Sequence, residues 1–252
     1  MRLENPKGNY AFVRGIAPYS GGVSALAGYE IEHVRLVRAL PLRTGFARVK
    51  AHLEKLGRPL TALCGMELRS PAPFSFAGFN EFNAGYVGTL RDWGILLEGG
   101  LNPVARTNIA PEIGAPTEPS LYGFSYTIPV KGSTGGTFVI AGAGELPEGS
   151  LRPEDVIRHG ETSPEALTQK ARFVMGLMTG RLRELHASWD QVTVAEMYTV
   201  HPVTAFFAQE VIRPMAGGAA HGVTWHYARP PIVSIEFEMD VRGVARELVL
   251  RD

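Results

Sequence analysis

Residues 53–68 read Leu-Glu-Lys-Leu-Gly-Arg-Pro-Leu-Thr-Ala-Leu-Cys-Gly-Met-Glu-Leu. A stretch of the same character returns at residues 182–197 as Leu-Arg-Glu-Leu-His-Ala-Ser-Trp-Asp-Gln-Val-Thr-Val-Ala-Glu-Met. The two stretches align without a gap, and Glu67 falls on Glu196. Each one reads as the end of a helix, a short turn and then a strand. This repetition predicts that the chain holds two diverged copies of one unit.

Helical patterns precede and follow each repeated stretch. Phe46, Val49 and Leu53 recur at the spacing of one helix face. Ser163 is a good N-cap, and Pro164 suits the first helical position after it. We predict helices at four places: Thr44–Leu56, Phe76–Leu90, Ser163–His186 and Val203–Arg213.

Strand patterns lie between these helices and repeat in the same order. Each unit therefore reads as strand, strand, helix, strand, helix, strand, which is typical of an α+β two-layer sandwich. We expect a first domain over residues 1–118 and a second over residues 119–252. The strands are predicted at residues 30–37, 61–68, 102–106, 138–142 and 225–229.

The amino-acid composition limits the classes of function that this chain can have. Acidic and basic residues balance at 25 each, which argues against nucleic acid as a partner. The single Cys64 excludes an intrachain disulfide and is expected to be a buried, inert thiol. The first residues have no apolar core typical of a signal peptide, and no apolar run is long enough to span a membrane. We expect a cytoplasmic protein that does not bind membranes.

Short patches in both halves resemble the RidA/YjgF family. The first half contains Ala-Pro-Tyr-Ser-Gly-Gly-Val at residues 17–23, Phe-Asn-Glu-Phe-Asn-Ala-Gly-Tyr at 79–86 and Pro-Val-Ala-Arg-Thr at 103–107. The second half contains Ala-Gly-Ala-Gly-Glu-Leu-Pro at 141–147 and Ile-Glu-Phe-Glu at 235–238, but lacks the asparagine and tyrosine of the helix motif. The resemblance covers nearly the whole chain as separate patches.

The resemblance implies a fold and an assembly. Members of this family have a chorismate-mutase-like α+β fold and form ring-shaped trimers with active sites in clefts between units. A tandem chain would place six units in a homotrimer, a pseudo-hexamer of domains. Closed cyclic symmetry is a common arrangement for such surfaces.

The resemblance also implies a carboxylate-binding arginine. Arg106 matches the family's arginine, with Thr107 beside it, and Arg229 is a second candidate. A guanidinium suits this role because its two parallel donors match the two oxygens of a carboxylate. The alternative for Arg106 is an ordinary salt bridge at a surface or interface.

The remaining candidates would move protons or hold a flat substrate. Glu236 matches the family's glutamate in the last strand and could act as general acid or base, although it could equally face solvent. Glu145 could be a second acid or a loop charge. Tyr19 and Tyr126 could stack on a conjugated substrate, and Asn83 belongs to the helix motif.

Because members of the RidA/YjgF family hydrolyse enamines or imines, the resemblance implies a hydrolytic deaminase that needs no cofactor and no metal. Its substrate would be a small carboxylated enamine or imine, and 2-aminomuconate or a chlorinated derivative would suit a tandem chain. Two alternatives remain: a chorismatase-like hydrolase or lyase, and a non-catalytic carboxylate-binding trimer.

Overall fold

Helices form where an apolar stripe coincides with a cap. The computed structural model describes residues 1–150 and 152–251, and in these the α-helices are α1 (Leu42–Lys55), α2 (Phe76–Asp92) and α3 (Pro164–Glu184). Ser75 and Ser163 cap α2 and α3 with their side chains. Each helix is followed by a residue with positive φ that closes its last turn, namely Gly57, Gly94 and His186.

Thirteen strands within the described residues form two sheets. They are β1 (Arg2–Asn5), β2 (Tyr10–Val13), β3 (Gly22–Ala25), β4 (Tyr29–Pro41), β5 (Leu63–Arg69), β6 (Ala105–Pro111), β7 (Ser120–Pro129), β8 (Phe138–Gly144), β9 (Val194–Tyr198), β10 (Thr224–His226), β11 (Ala228–Arg229), β12 (Glu238–Gly243) and β13 (Arg246–Leu250). Sheet A has the order β1-β2-β3-β8-β12-β9-β10, and sheet B has the order β11-β6-β5-β7-β4-β13.

The two sheets pack against each other and carry helices on their outer faces. Apolar side chains of α3 pack against sheet A, and those of α1 and α2 pack against sheet B. A third apolar cluster lies between the sheets and includes Tyr10, Phe12, Ile31, Cys64 and Ala105. The predicted burial of the Cys64 thiol is confirmed, because its side chain has no exposed surface.

The repeated local pattern is present. In sheet B, α1 leads through a short turn into β5, which pairs in parallel with β6 and antiparallel with β7. In sheet A, α3 leads through a similar turn into β9, which pairs in parallel with β10 and antiparallel with β12. The predicted succession of helix, turn and strand is therefore confirmed in both halves.

The predicted fold class, two tandem RidA/YjgF-type sandwiches forming a pseudo-hexamer, is wrong. The N-terminal strands β1 to β3 extend sheet A, whose other strands come from residues 138–243. Strands β7, β11 and β13 lie in sheet B together with strands of the first half. The boundary predicted between residues 118 and 119 thus does not separate the sheets, and the sheets bury each other's inner faces. Whether three chains associate stays a prediction.

The helix predicted at Val203–Arg213 is irregular. A π-helical turn at Phe207–Ile212 continues into 3-10 turns at Arg213–His221, and Ala216 interrupts these with a φ of 49°. Pro214 lacks the N–H that a regular helix would use, which favours the irregular path. In the described part of the chain, no helix is both long enough and apolar enough to cross a membrane.

Candidate active site

A cleft lies where β6, β8 and β12 meet the side chains of α2 and α3. Apolar walls come from Ile16, Phe79, Ile232 and Ile235. Such a cleft, mostly apolar with a few convergent polar groups, is the usual form of a small-molecule site. Its polar lining consists of Tyr19, Arg106, Asn108, Glu148, Arg181 and Glu238.

Arg106 is the buried cation of this cleft. Its side chain leaves β6 and lies 4.7 Å from the ring centre of Tyr19 and 4.8 Å from that of Tyr86. Among the described residues, none of its three guanidinium nitrogens has a hydrogen-bond partner. Burial lowers its pKa, but a guanidinium stays charged in proteins. A buried charge without a partner costs several kcal/mol, so the geometry favours an anionic ligand here.

Glu238 supplies a carboxyl group to the same cleft. It is the first residue of β12, and it is 4% exposed. Burial raises its pKa well above the usual value, and the nearby charges of Asp240 and Glu145 add to this effect. Gly142 makes room for the carboxyl, since a side chain at that position would collide with Glu238 Oε1. A raised pKa favours the neutral acid, which can donate a proton.

Arg181 brings a second guanidinium to the cleft from α3. Its Nη1 donates to the carbonyl oxygen of Ala141 at 2.8 Å, and its Nε donates to Glu148 Oε1 at 2.7 Å. The backbone contact fixes the guanidinium beside the turn after β8. Glu148 is a replaceable partner because its side chain is 49% exposed.

Comparison with known proteins identifies the family. The model of the family described as 2-aminomuconate deaminase CnbZ matches residues 2–248. The chain belongs to this family. A 2-amino-5-chloromuconate deaminase from Comamonas testosteroni is 42% identical over 245 residues, covering 96% of each chain. The prediction of a 2-aminomuconate or 2-amino-5-chloromuconate deaminase relationship is confirmed at the level of the family.

The comparison with a chorismatase agrees with the correction to the fold. A chorismatase crystal structure has a TM-score of 0.50 at 14% identity, covering 89% of this chain and 77% of the chorismatase. This likeness shows the fold alone. A cyanuric acid hydrolase has a TM-score of 0.44 at 10% identity, covering 88% of this chain and 69% of that enzyme. The sheet order of this chain gives a mixed α+β fold with two packed sheets rather than a RidA/YjgF tandem.

Several residues predicted from the sequence lie in or beside the cleft. Arg106 and Tyr19 line it together. Asn83 is buried on α2, between the turns that carry Phe79 and Tyr86, and its amide has no hydrogen-bond partner among the described residues. Thr107 points from β6 toward the other sheet, where its Oγ accepts a hydrogen bond from the Gly142 N–H at 3.0 Å.

Three other predicted residues do not line the cleft. The Tyr126 hydroxyl donates to Glu32 Oε2 at 2.7 Å, against the helical face of sheet B. Arg229 pairs with Glu112 at 2.7 Å on the surface. Glu236 is 2.8 Å from His201 Nε2. These side chains already have protein partners.

Glu145 belongs to a buried ion pair, so it is neither the second acid nor the loop charge considered from the sequence. It is fully buried and forms an ion pair of 2.9 Å with Lys170 of α3. It also accepts the backbone N–H groups of Glu236 and Phe237 at 2.7 and 3.0 Å. Burial raises its pKa, against the effect of the Lys170 charge. Glu145 therefore fixes the approach of the chain to β12 and positions Glu238.

Sequence reasoning missed Arg181, Glu148 and Asn108, and it preferred Glu236 to Glu238. A signal for Arg181 was present, because it lies on the same helix stripe as Val174 and Met178. A charge on an apolar stripe is expected to have a buried partner or a ligand. No comparable signal distinguished Glu238 from Glu236, since both fall on the same phase of an alternating strand.

Proposed function

We propose that this chain is a hydrolytic deaminase that converts 2-aminomuconate, or its 5-chloro derivative, to the corresponding 2-oxo dicarboxylate and ammonia. The family and the 42% identical deaminase support this assignment. The observation that carries it is the buried Arg106 guanidinium, whose nitrogens have no partner among the described residues, in one cleft with the raised-pKa carboxyl of Glu238.

The two arginines suit a substrate with two carboxylates. Arg106 would hold one of them through paired N–H donors. On α2, the Asn83 amide and the Tyr86 hydroxyl have no hydrogen-bond partner in the described part of the chain and could add to this contact. The second carboxylate would take the place of Glu148 on Arg181. The rings of Tyr19 and Phe79 line the space between and suit a flat conjugated chain.

Glu238 would carry the proton transfers. It first donates its proton to the enamine carbon, which gives an iminium ion. Water then adds to the carbon bearing nitrogen, and the Glu238 carboxylate takes the proton that the water loses. Finally Glu238 protonates the amine of this adduct, the C–N bond breaks, and the Glu238 carboxylate takes back the hydroxyl proton as the C=O bond forms. One water is consumed and one ammonia is released, and a single buried carboxyl suffices as acid and base.

The test is ammonia release from 2-aminomuconate by the purified protein, measured against the spontaneous rate. We expect Arg106→Ala and Glu238→Gln each to lower kcat/KM by about 100-fold or more, because each removes a group that contacts the reacting molecule. Arg183→Ala is the matched control, since Arg183 is exposed on α3. Wild-type release no faster than the spontaneous rate would refute the assignment, and chorismate turnover instead would favour the chorismatase alternative.

A further inference from the structure

A row of titratable side chains runs behind Glu238, between the two sheets. Glu238 and Asp240 alternate on β12, so they point to the same face. Their cross-strand partners on β9 are Tyr198 and Glu196, respectively. Directly opposite residues in an antiparallel pair have neighbouring side chains. The register therefore places Asp240, Tyr198 and Glu196 next to Glu238 of the cleft.

The Tyr198 hydroxyl joins two carboxyl groups. It lies 2.9 Å from Asp240 Oδ2 and 3.0 Å from Glu196 Oε2. A hydroxyl has one proton, so it can donate to only one of them, and the other contact needs a proton on the carboxyl side. Burial and the charges of Glu196 and Glu67 raise the pKa of Asp240 well above its usual value. Asp240 is therefore the protonated partner, and it donates to Tyr198.

Glu196 is the ionised end of this hydrogen-bonded chain. Burial opposes its charge, but the contact with His226 and the charges of Arg242 and Arg69 hold its pKa well below the usual value. The Nη1 atom of Arg242 lies 3.2 Å from Glu196 Oε2. Tyr198 can therefore donate to Glu196 while it accepts from Asp240, which is the arrangement that passes a proton along a chain.

His226 lies between Glu196 and the surface. Its Nε2 lies 3.5 Å from Glu196 Oε1, and its ring stacks on Tyr198 with centroids 5.0 Å apart. The His226 side chain is 22% exposed on the edge strand β10, whereas Glu196 is almost fully buried. Histidine is the side chain best suited to exchange protons with water near neutral pH.

The opposite end of the row reaches the cleft. Thr107 lies beside Asp240, and a side chain at Gly142 would meet both Thr107 and Glu238. Asp240 and Glu238 are also two residues apart on β12 and face the same side of it. The other charged groups facing the row are Glu67 and Arg69 of β5 and Arg242 of β12.

We propose that Asp240, Tyr198, Glu196 and His226 form a proton relay that recharges Glu238 from solvent in each turnover. This inference rests on the proposed deaminase function. The hydroxyl proton restores the Glu238 acid at the end of the reaction, and Glu238 then gives this proton to the departing ammonia, so an ammonium ion leaves the cleft and Glu238 is left ionised. Asp240 then gives its proton to Glu238, Tyr198 gives its proton to Asp240, and Glu196 passes to Tyr198 the proton that it receives from protonated His226. One proton enters from water for each that leaves with ammonium. The relay residues do not touch the substrate and act through Glu238.

The test compares Tyr198→Phe with Tyr10→Phe in the ammonia-release assay, in light and heavy water. Tyr10 is equally buried between the sheets, but its hydroxyl donates to the Leu63 carbonyl and joins no carboxyl. Proton transfer by a positioned group contributes about 100-fold or more to rate. We expect Tyr198→Phe to lower kcat by at least about tenfold with KM unchanged, and to increase the solvent isotope effect on kcat. We expect Tyr10→Phe to match the wild type in all three quantities.

A second variant keeps the relay falsifiable if Tyr198→Phe does not fold. His226→Gln changes a side chain at a sheet edge, and we expect a lower kcat that added imidazole restores. An unchanged kcat and isotope effect in Tyr198→Phe, or an unchanged kcat in His226→Gln, would overturn the relay while the wild type remains active. Absence of ammonia release by the wild type would instead overturn the proposed function, and the relay with it.

Discussion

Replacing Arg106 with methionine should raise the stability of the protein while it removes activity. The free protein buries this cation without a hydrogen-bond partner among the described residues. The desolvation cost of a buried ion is several kcal/mol, and the contacts with Tyr19 and Tyr86 return about 0.5–2 kcal/mol of it. Methionine fills a similar space without the charge. We therefore expect the free energy of unfolding to rise by about 1–3 kcal/mol.

The activity should change in the opposite direction. Loss of one partner of a buried carboxylate–guanidinium pair costs about 2–5 kcal/mol. At 1.4 kcal/mol per factor of ten, this cost corresponds to a decrease in kcat/KM of between about 30-fold and several thousand-fold. Arg106 therefore lowers the stability of the free protein while it prepares the cleft to bind an anion.

Two measurements on one preparation check this prediction. Thermal unfolding should show a Tm higher by about 2–4 °C for each kcal/mol gained. Ammonia release from 2-aminomuconate gives kcat/KM. A lower Tm with unchanged kcat/KM would refute the reasoning, because it would mean that Arg106 stabilises the fold and does not bind the substrate. The Arg183→Ala variant should leave both quantities as in the wild type.

Three further predictions follow from buried groups near the site. Gly142→Ala should lower kcat/KM by about tenfold or more, because the new methyl group would collide with Glu238 Oε1. Gly180→Ala, on the open side of α3, should leave kcat/KM unchanged. The ammonia-release assay compares the two variants. Lys170→Met should lower the free energy of unfolding in urea by about 3–5 kcal/mol, because it leaves the Glu145 carboxyl buried without its ion pair; an unchanged urea midpoint would contradict this. His33→Gln should flatten the acid side of the stability profile. Burial and the charge of Arg242 lower the pKa of His33 to about 3. The unfolded chain, with a pKa of about 6.5, binds the extra proton between these values, so wild-type stability falls as pH decreases by up to about 1.4 kcal/mol per pH unit. Urea titrations at several pH values should show a smaller loss in the variant, and an equal loss would rule out this role for His33.

Local structure could be predicted from the sequence because its causes are local. The apolar spacing of Phe46, Val49 and Leu53 and the cap at Ser163 decide where α1 and α3 form, and the structure confirms both. The turn and strand after each helix follow from the same residues that align in the two halves. The aligned glutamates Glu67 and Glu196 even meet between the sheets, where both contact Arg242 Nη1.

The sheet partners could not be predicted because they depend on long-range packing. Strand β3 pairs with β8 across more than a hundred residues, and β13 pairs with β4 across the whole chain. Nothing in an isolated strand pattern specifies such a neighbour. The RidA/YjgF resemblance was carried by short patches, and these patches lie in the strands and helix that build the cleft while the remaining strands assemble differently.

The candidate site was predictable in part for the same reason. Arg106, Tyr19 and Asn83 fall within quoted motifs and lie in or next to the cleft. Glu238 was quoted within a motif, but only the structure shows that this carboxyl, rather than that of Glu236, lines the cleft together with Arg106. Arg181 is 75 residues beyond Arg106 in the chain, and only the packing of α3 on sheet A brings them together.

The most direct test of the central claim is the affinity of the cleft for a dicarboxylate that cannot react. Isothermal titration with cis,cis-muconate, which has both carboxylates and no amine, should show binding to the wild type and to Arg183→Ala with similar Kd. Binding to Arg106→Met should be weaker by about 30-fold or more, because the buried cation that meets one carboxylate is gone. Equal affinity of Arg106→Met and the wild type for muconate would contradict the account.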